Sequence, residues 1–483
     1  MKARDVRVWA RWRTSDARPW LTNAMLAAIG VGMLLLTKQL IREYDGFSIG
    51  FSGVSGWSAI LFVVACTVVL TQPVNRWTLW IVFSVAIGCR LIAIFPDPFL
   101  SSDVYRYAWD GVVQHAGISP YRYVPGDAAL KFLREPNQDL FDNINRRDYA
   151  RTIYPPIAQM IFYAITWISP TVTFMKLAMV MFEGVTVWAL MGLLRGLGRR
   201  PEQVVLYLWC PMLVWEVAEA GHLDSAGMAF IALALLARMR RKPVWTGLLL
   251  GLAVMIKFYP LVLLPAVWWR DGRGSAWKIP AMVVAVAAFG YACYARVGML
   301  VFGFAGGYAK EEGLETGARY FVYELARRAP GMQALPMWVF LVFCVAVFGA
   351  LTVWAARAAW TSGSQREAFL APAFGFAVAL MLLFSPHYPW YVIWLIPFFT
   401  LLPNLPVLVY LMGIFYGFTT ALANPGPKLF LLNEYLYGAT AVAFLVWAVA
   451  RRWPVHRSLL IGAGRKLRPA AALEEDRAVQ TTL

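Results

Sequence analysis

The sequence predicts an all-α, polytopic transmembrane bundle, and three observations predict it. Of its 483 residues, 60% are hydrophobic and only 15% are charged, against about 45–50% and about 25% in soluble domains. Uncharged stretches recur along the whole chain, each approaching the roughly 20 residues with which a helix crosses a bilayer. The net charge of +17 is gathered in short connections between those stretches. Positive-inside topology produces that clustering, so the charge reads as orientation and not as a nucleic-acid footprint.

Arg4, Arg7, Arg11, Arg13 and Arg18 make residues 1–19 a basic cytoplasmic head. It runs straight into a full-length span, so no cleavable signal is expected. Trp20–Thr37, Trp57–Thr71 and Trp77–Phe95 are the first three spans, and residues from about 96 to 152 then form the longest polar stretch. Later candidate spans are Thr171–Leu194, Val204–Ala218, Ala226–Arg238, Val244–Ile256, Leu261–Trp269, Ile279–Ala295, Met337–Ala356, Phe369–Phe384, Val392–Leu402, Val407–Leu422 and Tyr435–Ala450. Several are too short for a perpendicular crossing, so broken or re-entrant segments are expected. A membrane tolerates such backbone only where it is buried in protein or lines a cavity.

The basic connections "RMRRK" (Arg238–Lys242) and "RRW" (from Arg451) set both termini in the cytoplasm. Tracking the connections from either end assigns Pro96–Arg151, Gly221–Ser225, Val297–Pro336 and Ser385–Pro389 to the outer face. The two directions conflict at Tyr154–Ser169, which must be a non-crossing or half-crossing helix. Residues 20–465 read as one transmembrane domain and 466–483 as a disordered tail. Cys66, Cys89, Cys210, Cys293 and Cys344 all fall in apolar segments without CxxC or zinc-like spacing, and read as small apolar packing residues.

Polar chemistry concentrates in "SSDVYRYAWDG", from Ser101. As a helix capped by Ser101 or Ser102, it sets Asp103, Arg106, Tyr107 and Asp110 on one face. Val104, Ala108 and Trp109 then face lipid or protein, giving an amphipathic interfacial helix. A solvated salt-bridge ladder, worth a few tenths of a kcal/mol per pair, would look alike on an isolated surface helix. The context favours a site. "GISPYRYVP" (Gly117–Pro125) adds Tyr121, Arg122 and Tyr123 in a turn-rich run, and "IYPPIAQ" (Ile153–Gln159) adds Tyr154 where the chain re-enters the membrane. Asp103 can act as general base towards a hydroxyl, with Arg106 orienting it or binding a phosphate.

Three further insertions bring "GHLDS" with His222 and Asp224, "IKFYP" with Lys257 and Tyr259, and "SPHYPWY" with His387 and Tyr391. Ionisable residues at membrane depth are costly and point to function. Glu183, mid-span, reads more simply as one half of a pair within the bundle. Walker, GxGxxG, HExxH and GxSxG motifs do not occur. No cofactor is required, and a magnesium or manganese ion at Asp103 and Asp110 stays open because nothing in their spacing demands one.

Taken in order, "LSSDVYRYAWDG…GISPYRY", "YPPIAQ", "GHLDS", "KFYP" and "SPHYPWY" resemble bacterial multi-spanning glycosyltransferases of the GT-C superfamily. The likeness runs from about Arg90 to Tyr391. It is nearest to the polyprenol-phosphate-mannose-type mannosyltransferases of glycosyltransferase family 87, and more distant to the first mannosyltransferase of glycosylphosphatidylinositol assembly. The resemblance implies a sugar, mannose, carried on a polyprenyl phosphate in the bacterial plasma membrane, and an active site at the outer face with Asp103 as the catalytic carboxylate. Relatives often carry two adjacent acids where this chain reads Ser101-Ser102-Asp103, and here Tyr388 separates His387 from Pro389.

On this reading Arg106, Arg122, Lys257, Tyr259 and Arg319 receive the donor phosphate. Asp110, Tyr121, Tyr154, His222, Asp224, His387 and Tyr391 line the substrate site. The acceptor is a lipid or glycan hydroxyl, attacked-carbon geometry inverts, and membrane lipid surrounds the protein. A transporter or flippase of a lipid-linked sugar is the alternative. It predicts two halves of matching hydropathy, and the chain has none.

Overall fold

The computed structural model describes residues 18–42, 49–268, 276–361, 366–423 and 429–452. The arginines at 4, 7, 11 and 13 and the expected tail at 466–483 lie outside them. The described residues are helical, without strands, as the apolar periodicity requires. The main helices are α1 (Pro19–Arg42), α2 (Ile49–Thr71) and α3 (Arg76–Ile94), then α4 (Asp103–His115), α5 (Pro156–Ile168) and α6 (Val172–Gly196). After a broken stretch come α7 (Asp224–Met239), α8 (Pro243–Val254), α9 (Lys278–Cys293), α10 (Met337–Thr361), α11 (Leu370–Phe384), α12 (Leu405–Ala423) and α13 (Leu429–Arg452).

Six helices are long and apolar enough to cross a membrane, among the described residues: α1, residues 53–71 of α2, α3, α6, α10 and residues 430–450 of α13. The chain is a multi-pass membrane protein. The starts are set locally. Asn75 caps α3 by accepting from the Trp77 N–H at 3.0 Å while Thr78 Oγ1 accepts from the Asn75 N–H at 3.1 Å, closing a reciprocal cap. Thr171 opens α6 by accepting from the Phe174 N–H at 3.3 Å.

The helices pack in two groups. One runs α13 on α12, α12 on α2, α2 on α1 and α1 on α3; the other runs α6 on α7, α7 on α8 and α8 on α9. They are joined in the interior by ions. The Arg90 guanidinium of α3 grips Glu183 of α6 with two bonds, 3.1 and 2.7 Å, and donates to the Leu208 carbonyl at 2.6 Å. Both side chains are buried, so Glu183 is engaged as a structural partner.

The expected breaks are present. Val204–Ala218 is not one helix but two short turns and a π-helical stretch, Val214–Glu219, a local widening that often marks functional segments. Pro211–Glu219 and α7 meet at 119°, and α9 meets Ala295–Glu311 at 111°. The first elbow turns at Gly221, whose φ of +70° belongs to the left-handed region, and it carries His222 and Asp224 at its tip. The segment where the two topology readings conflict is α5. Its 13 residues span about 20 Å at about 1.5 Å per residue, short of the roughly 30 Å hydrocarbon core.

The α4 helix begins where the sequence places it but is not a surface helix. Val104, Ala108 and Trp109 are buried against protein, as are Tyr105, Arg106, Tyr107 and Asp110. The helix packs on α5 and α6 and on the Gln138–Asp142 turn, with the Trp109 and Phe141 rings 5.6 Å apart. The polar loop folds back over the helix, which one-helix periodicity could not reveal. Ser102 caps through its backbone alone; Ser101 Oγ accepts from the Asp103 N–H at 3.3 Å.

Candidate active site

Five separate stretches wall a cleft of about 290 Å³: Leu100–Arg106, the 145–154 turn, Lys257, the 304–312 segment and the Tyr388–Tyr391 turn. Asp103, in the first turn of α4, lines it half-buried. Each of its carboxylate oxygens holds one donor. Asn145 Nδ2 donates to Oδ1 at 2.9 Å, and the Tyr154 hydroxyl donates to Oδ2 at 3.3 Å. Burial and the adjacent Asp103 charge hold the Tyr154 phenol well above its usual range, so it stays a donor. The Tyr121 hydroxyl fixes the Tyr154 backbone by donating to its carbonyl at 2.7 Å.

Lys257 follows α8, where the chain leaves the helix ahead of Pro260. Its ammonium pairs with Asp224 and lies 4.9 Å from the centre of the Tyr391 ring. Asp224 also accepts from the Tyr259 hydroxyl at 3.2 Å. Asp224 and Tyr259 thus support Lys257 from behind rather than lining the cleft themselves. Tyr391 and Tyr308 share a hydroxyl bond of 2.6 Å in the wall.

His222 is buried one layer deeper. It lies 2.9 Å from Glu216 and stacks at 4.4 Å on Trp390, which in turn stacks at 4.3 Å on Tyr388. Arg319 pairs with Glu312 and sits 5.3 Å over the Tyr388 ring. His387 neighbours Tyr388, outside the cleft lining; burial, with Arg319 adding to it, lowers its pKa to about 3.

Of the residues expected from sequence, Asp103, Arg106, Lys257, Tyr154 and Tyr391 meet in the cleft, and His222, Asp224, Tyr259 and Arg319 stand behind it. Tyr121 and His387 lie outside the lining, Tyr121 bonded to the Tyr154 carbonyl behind it, and three further placements differ. Asp110 lies outside the lining, paired with Arg106 at 2.8 Å and accepting from Gln159 Nε2 at 2.9 Å. Arg106 lines the cleft, yet its guanidinium is turned to Asp110 and to the Ala150 carbonyl at 3.1 Å. Arg122 is exposed, 5.4 Å over the Tyr123 ring, because the Gly117–Pro125 turns leave it outside.

The sequence reading missed Asn145, Arg146, Arg151, Tyr308 and Trp390, all in the lining. "DNINRRD" has no motif, and only its place in the long polar stretch could have pointed to it. Arg146 pairs with Glu311 at 2.7 Å. Arg151 donates to the Arg122 carbonyl at 3.2 Å, and no carboxylate pairs with it among the described residues. The described residues contain no cluster of three or more His, Cys, Asp or Glu side chains placed to hold a metal.

Comparison with known proteins bears on what such a cleft does. Residues 21–271 match the family described as "Alpha-(1->6)-mannopyranosyltransferase, N-terminal domain". A curated relative, GPI mannosyltransferase 1 of Eremothecium gossypii (strain ATCC 10895 / CBS 109.51 / FGSC 9923 / NRRL Y-1056), is 27% identical over 151 residues, 30% of this chain and 37% of that protein. The chain thus spans little more than a third of the length of that relative. No solved structure matches. The family match covers more than half of the chain and includes Asp103, Tyr154, Asp224 and Lys257, and the chain therefore belongs to the alpha-(1→6)-mannopyranosyltransferase family, membrane mannosyltransferases of the GT-C type.

Proposed function

We propose that this mannosyltransferase takes mannose from a polyprenyl-phosphate donor and transfers it to a hydroxyl of a lipid or glycan acceptor, at the outer face of a bacterial plasma membrane. One observation carries the reading: in a member of this family, the carboxylate of Asp103 lines a polar cleft beside Lys257, Arg146 and Arg151. The acceptor O–H gives its proton to Asp103. The freed oxygen attacks the anomeric carbon from the side opposite the phosphate, the carbon–oxygen bond to phosphate breaks, and polyprenyl phosphate leaves with the bonding pair. Configuration inverts in that single displacement.

The donor phosphate needs cations. Lys257 is held at the cleft by Asp224, and Arg151 is the lining arginine without a carboxylate partner among the described residues. These two, with Arg146, replace Arg106, Arg122 and Arg319 as the phosphate contacts in this reading. A bidentate guanidinium suits a phosphate oxygen pair.

Wild type and Asp103→Asn, purified into nanodiscs, would be incubated with radiolabelled polyprenyl-phosphate mannose and a membrane-lipid extract. The expected result is acceptor-dependent release of polyprenyl phosphate by wild type and a loss of at least about 100-fold in the variant, within the usual range for a general base. Release by both proteins alike would remove Asp103 as the base. Transbilayer movement of the lipid in liposomes, without release, would replace the enzyme reading by a transporter.

A further inference from the structure

We propose that Asn145 is a positioning residue for the transfer reaction, holding the Asp103 carboxylate with its free lone pairs turned to the cleft; this rests on the reading of Asp103 given above. Asn145 Nδ2 donates to Asp103 Oδ1 at 2.9 Å and lies 3.1 Å from Ser102 Oγ, so one amide fixes both the carboxylate and the residue that opens α4. A hydrogen bond donated to a carboxylate sets the orientation of its oxygens. Asn145 is half-buried and lines the cleft beside Asp103.

The backbone gives an independent reason. Arg146 has a φ of +53°, the left-handed region that costs a non-glycine residue about 1–3 kcal/mol and is retained where the surroundings impose it. That twist lets two consecutive residues serve the same cleft: Asn145 reaches Asp103, and Arg146 reaches Glu311 and the Tyr308 ring. The turn is pinned on both sides. Ile144 and Ala150 are buried, and the Arg147 carbonyl accepts from the Gly126 N–H at 2.8 Å. A Cβ at Gly126 would stand 3.2 Å from that same Arg147 carbonyl oxygen, so the two segments of the turn approach closely there. A strained, anchored turn whose Asn145 side chain bonds the reactive carboxylate is built to hold that carboxylate still.

The test compares Asn145→Ala, Asn145→Asp and Asn145→Gln with wild type in nanodiscs, using radiolabelled polyprenyl-phosphate mannose and a membrane-lipid extract. A thermal midpoint on each confirms folding, and Asn145→Asp keeps the shape of the side chain while removing its donor. One bond to a charged group corresponds to roughly a 10- to 100-fold change in rate. The expected result is a fall in kcat of that size for Ala and Asp, with the donor KM within about two-fold of wild type, and partial recovery in Gln. In an Asp103→Asn background, Asn145→Ala should cost nothing more, because residues acting as a unit are not additive.

Unchanged kcat in Asn145→Ala and Asn145→Asp, or the same loss repeated on top of Asp103→Asn, would overturn the proposal. So would a rise in KM at constant kcat, which would make Asn145 a substrate contact. An infrared difference spectrum against Asp103→Asn supplies a readout free of any substrate. Its carboxylate band should move in Asn145→Ala, and an unmoved band overturns the proposal too. Full activity of Asp103→Asn would remove the base reading and this inference with it. An inactive Asp103→Asn beside an unimpaired Asn145→Ala would remove this inference alone.

Discussion

Arg106 and Arg151 both line the cleft, and their partners separate their roles. Arg106 is buried and engaged with Asp110 and the Ala150 carbonyl, whereas Arg151 is exposed and makes one bond to a backbone carbonyl. Breaking a buried pair from one side leaves a desolvated charge and costs about 3–5 kcal/mol. Asp110→Ala should therefore lower the unfolding midpoint of the purified protein. Arg151→Ala should leave that midpoint in place and raise the donor KM several-fold, measured in the release assay. His387 gives a pH dependence. Its folded pKa of about 3 lies below the ordinary 6.5, so between those values the unfolded chain binds the extra proton. Stability from this group is complete above about pH 6.5 and is lost as pH falls towards 3. His387→Gln should flatten that part of a plot of midpoint against pH.

At the scale of elements, the elbow between Pro211–Glu219 and α7 places three groups at once. His222 at its tip stacks on Trp390, Asp224 in the first turn of α7 holds Lys257, and Glu219 accepts from the Phe99 N–H at 2.6 Å just before α4. The turn works because Gly221 adopts a φ of +70°. A Cβ there would stand 3.0 Å from Lys176 Cγ and 3.0 Å from Val104 Cγ2. Gly221→Ala should thus cost about 1–3 kcal/mol from the left-handed backbone alone, and more from the crowding. Because Val104 follows Asp103 on α4, activity should fall as well; thermal unfolding and the release assay check both. The polar motif "GHLDS" was legible as a site element. That it forms the tip of a sharp elbow was not, since the preceding apolar run reads equally well as a straight span.

For the whole molecule, the bilayer removes the usual hydrophobic drive between helices, so buried polar contacts carry more of the specificity. Arg90 and Glu183 join α3 to α6 and, through the Leu208 carbonyl, to the broken segment that follows. Glu183→Ala should destabilise by about 3–5 kcal/mol, while replacing both partners by apolar residues of similar size should cost far less. Unfolding of the two variants in nanodiscs distinguishes these outcomes. The same reasoning covers Lys176, buried in α6, which donates to the Ala93 and Pro96 carbonyls at 3.2 and 2.7 Å and so ties the end of α3 into the bundle.

Legible in the chain alone are the fold class, the helices α1, α3, α6 and α10 to within about five residues at either end, and the concentration of polar residues around Asp103. Those features are local: apolar runs, caps and charge clusters act within a few turns of chain. Only the tertiary contacts decide that α4 is buried all round from Val104 to Gly111, that Asp110 turns Arg106 away from open solvent, and that Asn145, Arg151 and Tyr308 join the cleft. Each of these depends on a contact between residues far apart in sequence, such as Asn145 with Asp103 across 42 positions or Tyr308 with Tyr391 across 83. A residue's type and its immediate neighbours carry no record of such a partner, because loop geometry and the packing of several helices set the meeting point.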